Sequence, residues 1–598
     1  MVKLVYTYAL GAYAVWCAGS SPVSGTITLS ASRGTFLFGD LTLREQVLSR
    51  APRSRKQIQS LLWIFCAIII SRMGEIARYL NQLIVGNVFD SPEVLETYST
   101  DRSVLKIKPR AVAFPESTDD ICRLMRFCYQ LAAKDIKIPV TAYGSGLDEM
   151  GADLSRGLVI STEKLNKLLE ADRRERLVRV QAGITLKELN TALSMNGLTV
   201  PISGHDFETI GGLISNCPAD DSAGKYGGIM NYVERIEIVL PNGECLQTDR
   251  FNARWIKRKT SEKTLEGDIY RKIKKVLEAN ETLLNEIKKT PRSLSGYSNV
   301  IYIKRRNTMD LMPLVFGAEG TLGIISEVIL RAIPIKKPAS RVVASFDSFK
   351  AASKFLDFAS KLNPREINLY DANIIKTAEE TGKKFNAITK KLEDGYVVTA
   401  KFDKRNCAKK ILNLKKMLPR NTQIIVDDTN SKISFEELEN ALTSYLYCPK
   451  NGERVPLLTD FYVPKENLAG LAEDLEILRE KLGLDLALYG SYTSANYNLR
   501  PIFDPTEEDF NKKAMAFLRA GAYIIKRQGG SLAGGSPEGR VKALVTNSEM
   551  PAGRKDFYLE IKAIFDRYDI VNPDAKLGAD SRYTLNHFRT TGSPKIMI

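Results

Sequence analysis

Three glycine turns, each placed where a strand or short helix begins or ends, constrain this chain more than any other feature. Tyr143-Gly-Ser-Gly146 follows the strand-like run Ile136–Ala142, and Thr209-Ile-Gly-Gly212 opens the short helical run to Asn216. Gly317-Ala-Glu-Gly-Thr-Leu-Gly-Ile-Ile-Ser-Glu327 leads into a strand that ends near Pro334. A backbone can approach a diphosphate closely only where side chains are absent, so such turns suit phosphate binding as well as chain reversal. One alone signals only a turn. Three within one α/β unit tilt the balance toward a nucleotide. Gly224-Lys225 lacks the preceding glycine and following Ser/Thr of a P-loop. No G-x-G-x-x-G follows the first strand, as a Rossmann site requires.

The flanking pattern supports an alternating unit. Pro115-Glu-Ser-Thr-Asp-Asp120 predicts a helix start, with Ser117 and Asp120 spaced as a capping pair. Ile121, Leu124, Met125, Cys128 and Leu131 then fall on one helical face. Strands are expected at Gly157–Ser161 and Leu177–Gln181, and a helix at Leu186–Asn196 stopped by Gly197. Val233–Leu240 and Cys245–Thr248 flank Pro241-Asn-Gly243, a hairpin signal. Beyond Lys336-Lys-Pro338 the strand candidates are Arg341–Phe346, Tyr396–Phe402, Leu457–Val463 and Asp485–Gly490. They alternate with helix candidates Phe349–Leu362, Ala408–Leu418, Phe435–Leu446 and Leu468–Leu482. That mixture predicts an antiparallel sheet with helices on one face.

A length of 598 residues requires two or three domains. The net charge of +16 is spread in doublets such as Lys288-Lys289 and Lys415-Lys416, which read as solvated helix faces. No nucleic-acid motif accompanies them. The eight cysteines form no C-x-x-C pair, which excludes zinc ribbons and iron–sulfur clusters and fits a reducing, cytoplasmic setting. Only two histidines occur, His205 and His587, so a multi-histidine metal site is excluded. Residues 1–72 read differently from the rest. Lys3 precedes a signal-like apolar run, and Leu61–Ile70 follows a basic cluster but has about half the length of a membrane span. A membrane anchor, a disordered leader and translated upstream sequence compete here. The regular pattern that begins after Met73 favours the last, and membrane contact through this segment stays open.

The ordered motifs Pro115-Glu-Ser-Thr, Ile138-Pro-Val-Thr-x-x-Gly-x-Gly, Val180-x-Ala-Gly183, Thr209-Ile-Gly-Gly, Lys225-Tyr-Gly, Val239-Leu-Pro-Asn-Gly and Gly317-x-Glu-Gly-Thr-Leu-Gly-Ile resemble a known family. It is the FAD-binding PCMH-type family of vanillyl-alcohol oxidase and p-cresol methylhydroxylase. Within it the chain is most similar to the D-lactate dehydrogenase and glycolate oxidase branch. The resemblance implies an α+β fold with a two-subdomain FAD-binding domain over 73–335 and an antiparallel-sheet cap over 336–528. A C-terminal segment, 529–598, would return to the flavin domain. By the same resemblance Tyr143, Gly144, Ser145, Gly146 and Leu147 would wrap the FAD diphosphate. Thr209, Ile210, Gly211, Gly212, Ser215 and Asn216 would lie along the flavin, with Ile324 and Ile325 near its ring and Asn572 returning to it. Tyr143-Gly-Ser-Gly146 contains no His or Cys, and Cys217 reads as a packing residue, so non-covalent FAD is expected.

The cap departs from the branch. Its two metal-binding histidines are replaced by Ser491 and Asn498, and a Glu-His pair by Gly535-Ser536. These are poor ligands for a transition metal, so no metal is expected. The same change removes the expected base. Glu538, Tyr492 and Tyr497 are substitutes for it, and Arg500 and Arg540 are candidates to clamp a carboxylate. The implied activity is transfer of a hydride from a hydroxy acid, an alcohol or a sugar-like hydroxyl to flavin. An aldonolactone or cell-wall sugar oxidoreductase, and an FAD-binding protein without turnover, are the alternatives. The acceptor is open among oxygen, a quinone and a carrier protein.

Overall fold

The computed structural model describes residues 76–589, apart from 203, 220, 222, 336–339, 381–394, 404–406, 418–423 and 428–452. The leader, the 336–338 linker and the expected helix Phe435–Leu446 therefore lie outside the described residues. Among those described, no helix is long and apolar enough to cross a membrane.

The first expected helix forms where the sequence puts it, over Thr118–Ala132, with the Ser117 side chain accepting from the Asp120 amide. Its apolar face, Ile121, Leu124, Met125, Cys128 and Leu131, is fully buried. It accompanies a four-stranded sheet in the order Asn87–Phe89, Ala111–Phe114, Leu158–Ser161, Val140–Tyr143. The last three strands are parallel. Leu158–Ser161, lying between two partners, is buried at every position, as a strand covered on both faces must be. The expected strand Ile136–Ala142 is shortened to Val140–Tyr143. Pro139 has no N–H to give to the ladder, and pairing begins one residue later.

A second, antiparallel sheet follows in the order Leu168–Asp172, Leu177–Gln181, Ile324–Arg331, Val233–Val239, Cys245–Gln247. It shares a hydrophobic core with the helices Leu186–Ser194, Ile210–Asn216, Leu265–Ala279 and Ala552–Phe565. Ile324–Arg331 brings the third glycine turn beside the second, because the Gly317 amide donates to Ile214 O and the Glu319 amide to Ser215 O.

The C-terminal half is built on an eight-stranded antiparallel sheet. Its order is Ile424–Asp427, Ser340–Phe346, Tyr396–Phe402, Glu366–Asp371, Leu486–Ser491, Asn496–Phe503, Glu453–Arg454, and Leu458–Tyr462 also pairs with Asn496–Phe503. The helices Phe349–Lys361, Leu468–Leu482 and Phe510–Arg527 pack on its apolar face. Period-two alternation leaves polar side chains on the other face. The chain then returns: Val140 donates to Ile570 O, and Asn572 donates to Val140 O.

Candidate active site

The polar face of the large sheet and the glycine turns of the first half enclose one cavity of about 1550 Å³. That exceeds the ~300–1,000 Å³ of a typical small-ligand site and leaves room for a dinucleotide beside a small substrate. Gly144, Ser145, Gly146 and Leu147 line it, as do Thr209, Gly211, Gly212, Ser215 and Asn216. Thr209 caps the helix Ile210–Asn216 by accepting from the Gly212 amide, so this turn opens directly into a helix N-terminus. Ile325 reaches the cavity, whereas Ile324 is fully buried in the strand opposite Val239. Ile210 is likewise core. Tyr143 supports the turn from behind, its ring against Tyr98 and its hydroxyl donating to Thr100 O. Asn572 also lies behind the wall, donating to Ala152 O and Glu319 O at 2.7 Å each.

The glycines are required. A Cβ at Gly144 would lie 2.6 Å from Thr209 Oγ1, and one at Gly146, where φ is +67°, would lie 2.2 Å from Tyr143 Oη. At both positions the missing Cβ lets the loop pack closely against Thr209 and Tyr143. Such a glycine cradle, joined to a helix start and a large cavity, fits FAD.

From the large sheet come Glu366, Asn368 and Tyr370, alternating along one strand, and Asn496, Asn498 and Arg500 along another. Ser491 and Ser536 line the cavity with Asn498, so three of the four positions that depart from the metal-dependent branch face it together. Beneath them Lys542, fully buried, donates to Thr459 O and to Ser536 O and Oγ. Desolvation holds its ammonium below the usual lysine range.

Four of the five expected catalytic side chains are elsewhere, Tyr497 among them, fully buried in the core of the large sheet. Glu538 is fully buried outside the cavity wall. It accepts from the Gly296 amide and Ser295 Oγ and pairs with Lys576 at 3.1 Å. Tyr492 donates to Asp357 Oδ1 at 2.6 Å on the helical side of the sheet. Arg540 is spent on Gly151 O and Asn572 Oδ1. For Glu538, Tyr492 and Arg540 the cause is the same: an internal partner captures the polar group away from the cavity. Arg500 does line the cavity, but Glu149 and the Tyr489 hydroxyl hold it.

Other residues in the wall escaped the sequence reading. Glu208, next to the Thr209 turn, accepts from the His205 amide at 2.9 Å, and desolvation pushes its carboxyl up to about 7. Asp460 sits at φ +52° with its carboxylate accepting from Asn496. A non-glycine residue in that region of backbone space is a pointer to function visible only in three dimensions. Arg365 and Lys401 flank Glu366 at 3.2 and 3.5 Å.

Two family models match in tandem: "FAD binding domain" over residues 109–249 and "FAD linked oxidases, C-terminal domain" over 335–575. Residues 109–249 thus match an FAD binding domain, and residues 335–575 match the C-terminal domain of FAD linked oxidases. The chain is 25% identical to a D-2-hydroxyglutarate dehydrogenase of Pantoea ananatis over 79% of this chain and 48% of that one. It therefore spans about half the length of that relative. A glycolate oxidase subunit of Bacillus subtilis is 23% identical, covering 79% of this chain and 90% of its own. A D-lactate dehydrogenase of Archaeoglobus fulgidus is 24% identical, covering 80% and 95%. Among solved structures, a 4-ethylphenol oxidase from Gulosibacter chungangensis superposes with a TM-score of 0.61 at 15% identity, over 86% of this chain and 97% of that one. That likeness concerns the fold alone.

Proposed function

We propose that this chain oxidises the CH–OH group of a small 2-hydroxy acid, holding FAD non-covalently and using no metal ion. One observation carries the reading. Arg365 and Lys401 line the same cavity as the glycine cradle and share a single carboxylate, Glu366. Two cations facing one anion leave positive charge for a substrate carboxylate, which a guanidinium grips through paired N–H bonds. The names of the relatives support the same substrate class.

Bound FAD supplies the acceptor for the two electrons of the C–H bond. The remaining work falls to side chains. Asn368, Ser491 and Asn498 offer hydrogen bonds that orient the substrate hydroxyl. Glu208 is suited to take its proton, since a carboxyl held near neutrality is half ready as a base at working pH. Ser491, Asn498, Gly535 and Ser536 give a transition metal no imidazole or carboxylate. Cys217 is buried outside the cavity wall with its thiol pushed up to about 12, which supports a non-covalent cofactor.

The test is anaerobic titration of the FAD-loaded full chain with 2-hydroxyglutarate, lactate, glycolate and an aldonolactone, each with and without EDTA. Bleaching of the flavin by a 2-hydroxy acid, unaltered by EDTA, is expected. Bleaching by the lactone alone would sink the substrate class, and loss of bleaching in EDTA would sink the metal-free mechanism.

A further inference from the structure

The loop that follows the first glycine turn carries an anion of its own. Asp148 Oδ2 accepts from the Met150 amide at 3.0 Å and the Ala152 amide at 2.6 Å. Asp148 Oδ1 accepts from Asn216 Nδ2 at 3.0 Å. Asn216 belongs to the helix Ile210–Asn216, so donors from two separate elements of the cavity wall converge on one carboxylate. Backbone N–H groups of one loop aimed at a common point form a nest for an anion, and these groups flank the glycine cradle that fits a diphosphate.

The surroundings deepen the conflict. Asp101 and Asp153 each bring a carboxylate oxygen within 4.8 Å of one on Asp148 and of each other. Glu149 and Glu319 also act on the group from the same loop and from the third glycine turn. Arg102, whose amide donates to Asp148 O, lines the same cavity, while two further cations are committed. Arg540 is held by Gly151 O and Asn572, and Lys542 by Thr459 O and Ser536. A diphosphate arriving here meets an anion in its seat and few unspent positive charges. Desolvation already favours the neutral form of Asp148, and the loop amides and Asn216 oppose it.

We propose that Asp148 sets how tightly this chain holds its cofactor, because its carboxylate fills the seat that the loop amides and Asn216 would offer to the diphosphate. FAD enters with Asp148 protonated. The inference rests on the cavity being the FAD site, and it concerns affinity rather than chemistry. Cofactor binding is therefore linked to proton uptake, and affinity falls as pH rises.

The test uses the full chain stripped of flavin and titrated with FAD at pH 6 and pH 8, with quenching of flavin fluorescence as the readout. Asp148→Asn removes the charge and keeps the shape, and Asp148→Ser also frees the amides. Both should bind FAD at least about ten-fold more tightly than the unaltered chain at pH 8, with a shallower pH dependence. Calorimetry in two buffers of different ionisation heat should find about one proton taken up per FAD by the unaltered chain and none by Asp148→Asn. Equal affinities and equal pH slopes in all three proteins, or weaker binding by both variants, overturn the proposal while leaving the FAD site standing. Absence of binding by all three at both pH values overturns the proposal and the FAD site together.

Discussion

Replacing Lys576 with methionine separates a structural role for Glu538 from the catalytic one its sequence position suggested. The lysine ammonium is almost fully buried and donates to Leu294 O, Gly317 O, Glu319 Oε2 and Glu538 Oε2 at 3.0–3.3 Å. Removing it leaves two buried carboxylates facing each other, and breaking a buried pair in this way costs about 3–5 kcal/mol. Glu538→Gln is milder. It keeps the acceptor for the Gly296 amide and Ser295 Oγ and leaves Lys576 paired with Glu319, for a cost of about 1–3 kcal/mol. The double variant removes both charges and should cost less than the sum of the single changes. Urea unfolding at pH 7.5 reads this order. The deficit of Lys576→Met should shrink as pH falls toward 5. Glu319 already has its carboxyl raised to about 7 by desolvation, with Lys576 opposing the shift, so losing the lysine raises it further and protonation relieves the repulsion. Flavin reduction per loaded molecule should stay within about two-fold of the unaltered chain in Glu538→Gln, since the group is outside the cavity wall. An unchanged unfolding midpoint together with abolished flavin reduction in Glu538→Gln would refute the reasoning and restore Glu538 as the base.

Four further outcomes follow from the site and its frame. Flavin reduction should rise with pH through about 7 and level off above it, because Glu208 must be ionised to accept a proton; Glu208→Gln should lower the plateau and remove that limb. The same raised carboxyl gives Glu208 a stabilising contribution that is complete below its unfolded value of about 4.5 and lost as pH rises through about 7, so Glu208→Gln should also flatten stability over that window in urea titrations. Arg365→Ala should raise the substrate KM by about ten- to a hundred-fold with a smaller effect on kcat, as loss of a charge-assisted carboxylate contact does; an unchanged KM would remove Arg365 from the substrate site. Cys122 and Cys245 lie with their sulfurs 3.3 Å apart, Cys122 on the helix Thr118–Ala132 and Cys245 on the strand Cys245–Gln247, and the hydrogen bond between them holds the Cys245 thiol below its ordinary range. Oxidised glutathione should close this pair with loss of two hydrogens and release of two glutathione thiols, seen by mass spectrometry and prevented by Cys245→Ser.

What the sequence made legible is what short-range physics decides. Leu177–Gln181, Tyr396–Phe402 and Leu468–Leu482 end where they were expected to end, since alternation, β-branching and a glycine stop act within a few residues. Asn498 and Arg500, two apart on one strand, share the cavity face for the same reason. Glu538 and Tyr492 were misplaced because their partners, Lys576 and Asp357, are remote in sequence, and no period connects them. Glu208 shows the opposite case. Its neighbour Thr209 was read as part of the cofactor turn, yet only the folded wall tells that the adjacent carboxyl is desolvated enough to rise to about 7. Asp148 carries the point furthest. In the sequence it is one acidic residue after a glycine turn, indistinguishable from a solvated loop residue. In the fold its carboxylate takes two loop amides and the Asn216 side chain. A motif therefore reports which backbone can approach a ligand, while the charges that decide how strongly it binds are set by side chains outside the motif. Two chains with the same glycine turns can in this way differ widely in cofactor affinity, and the FAD titration of the Asp148 variants measures that difference directly.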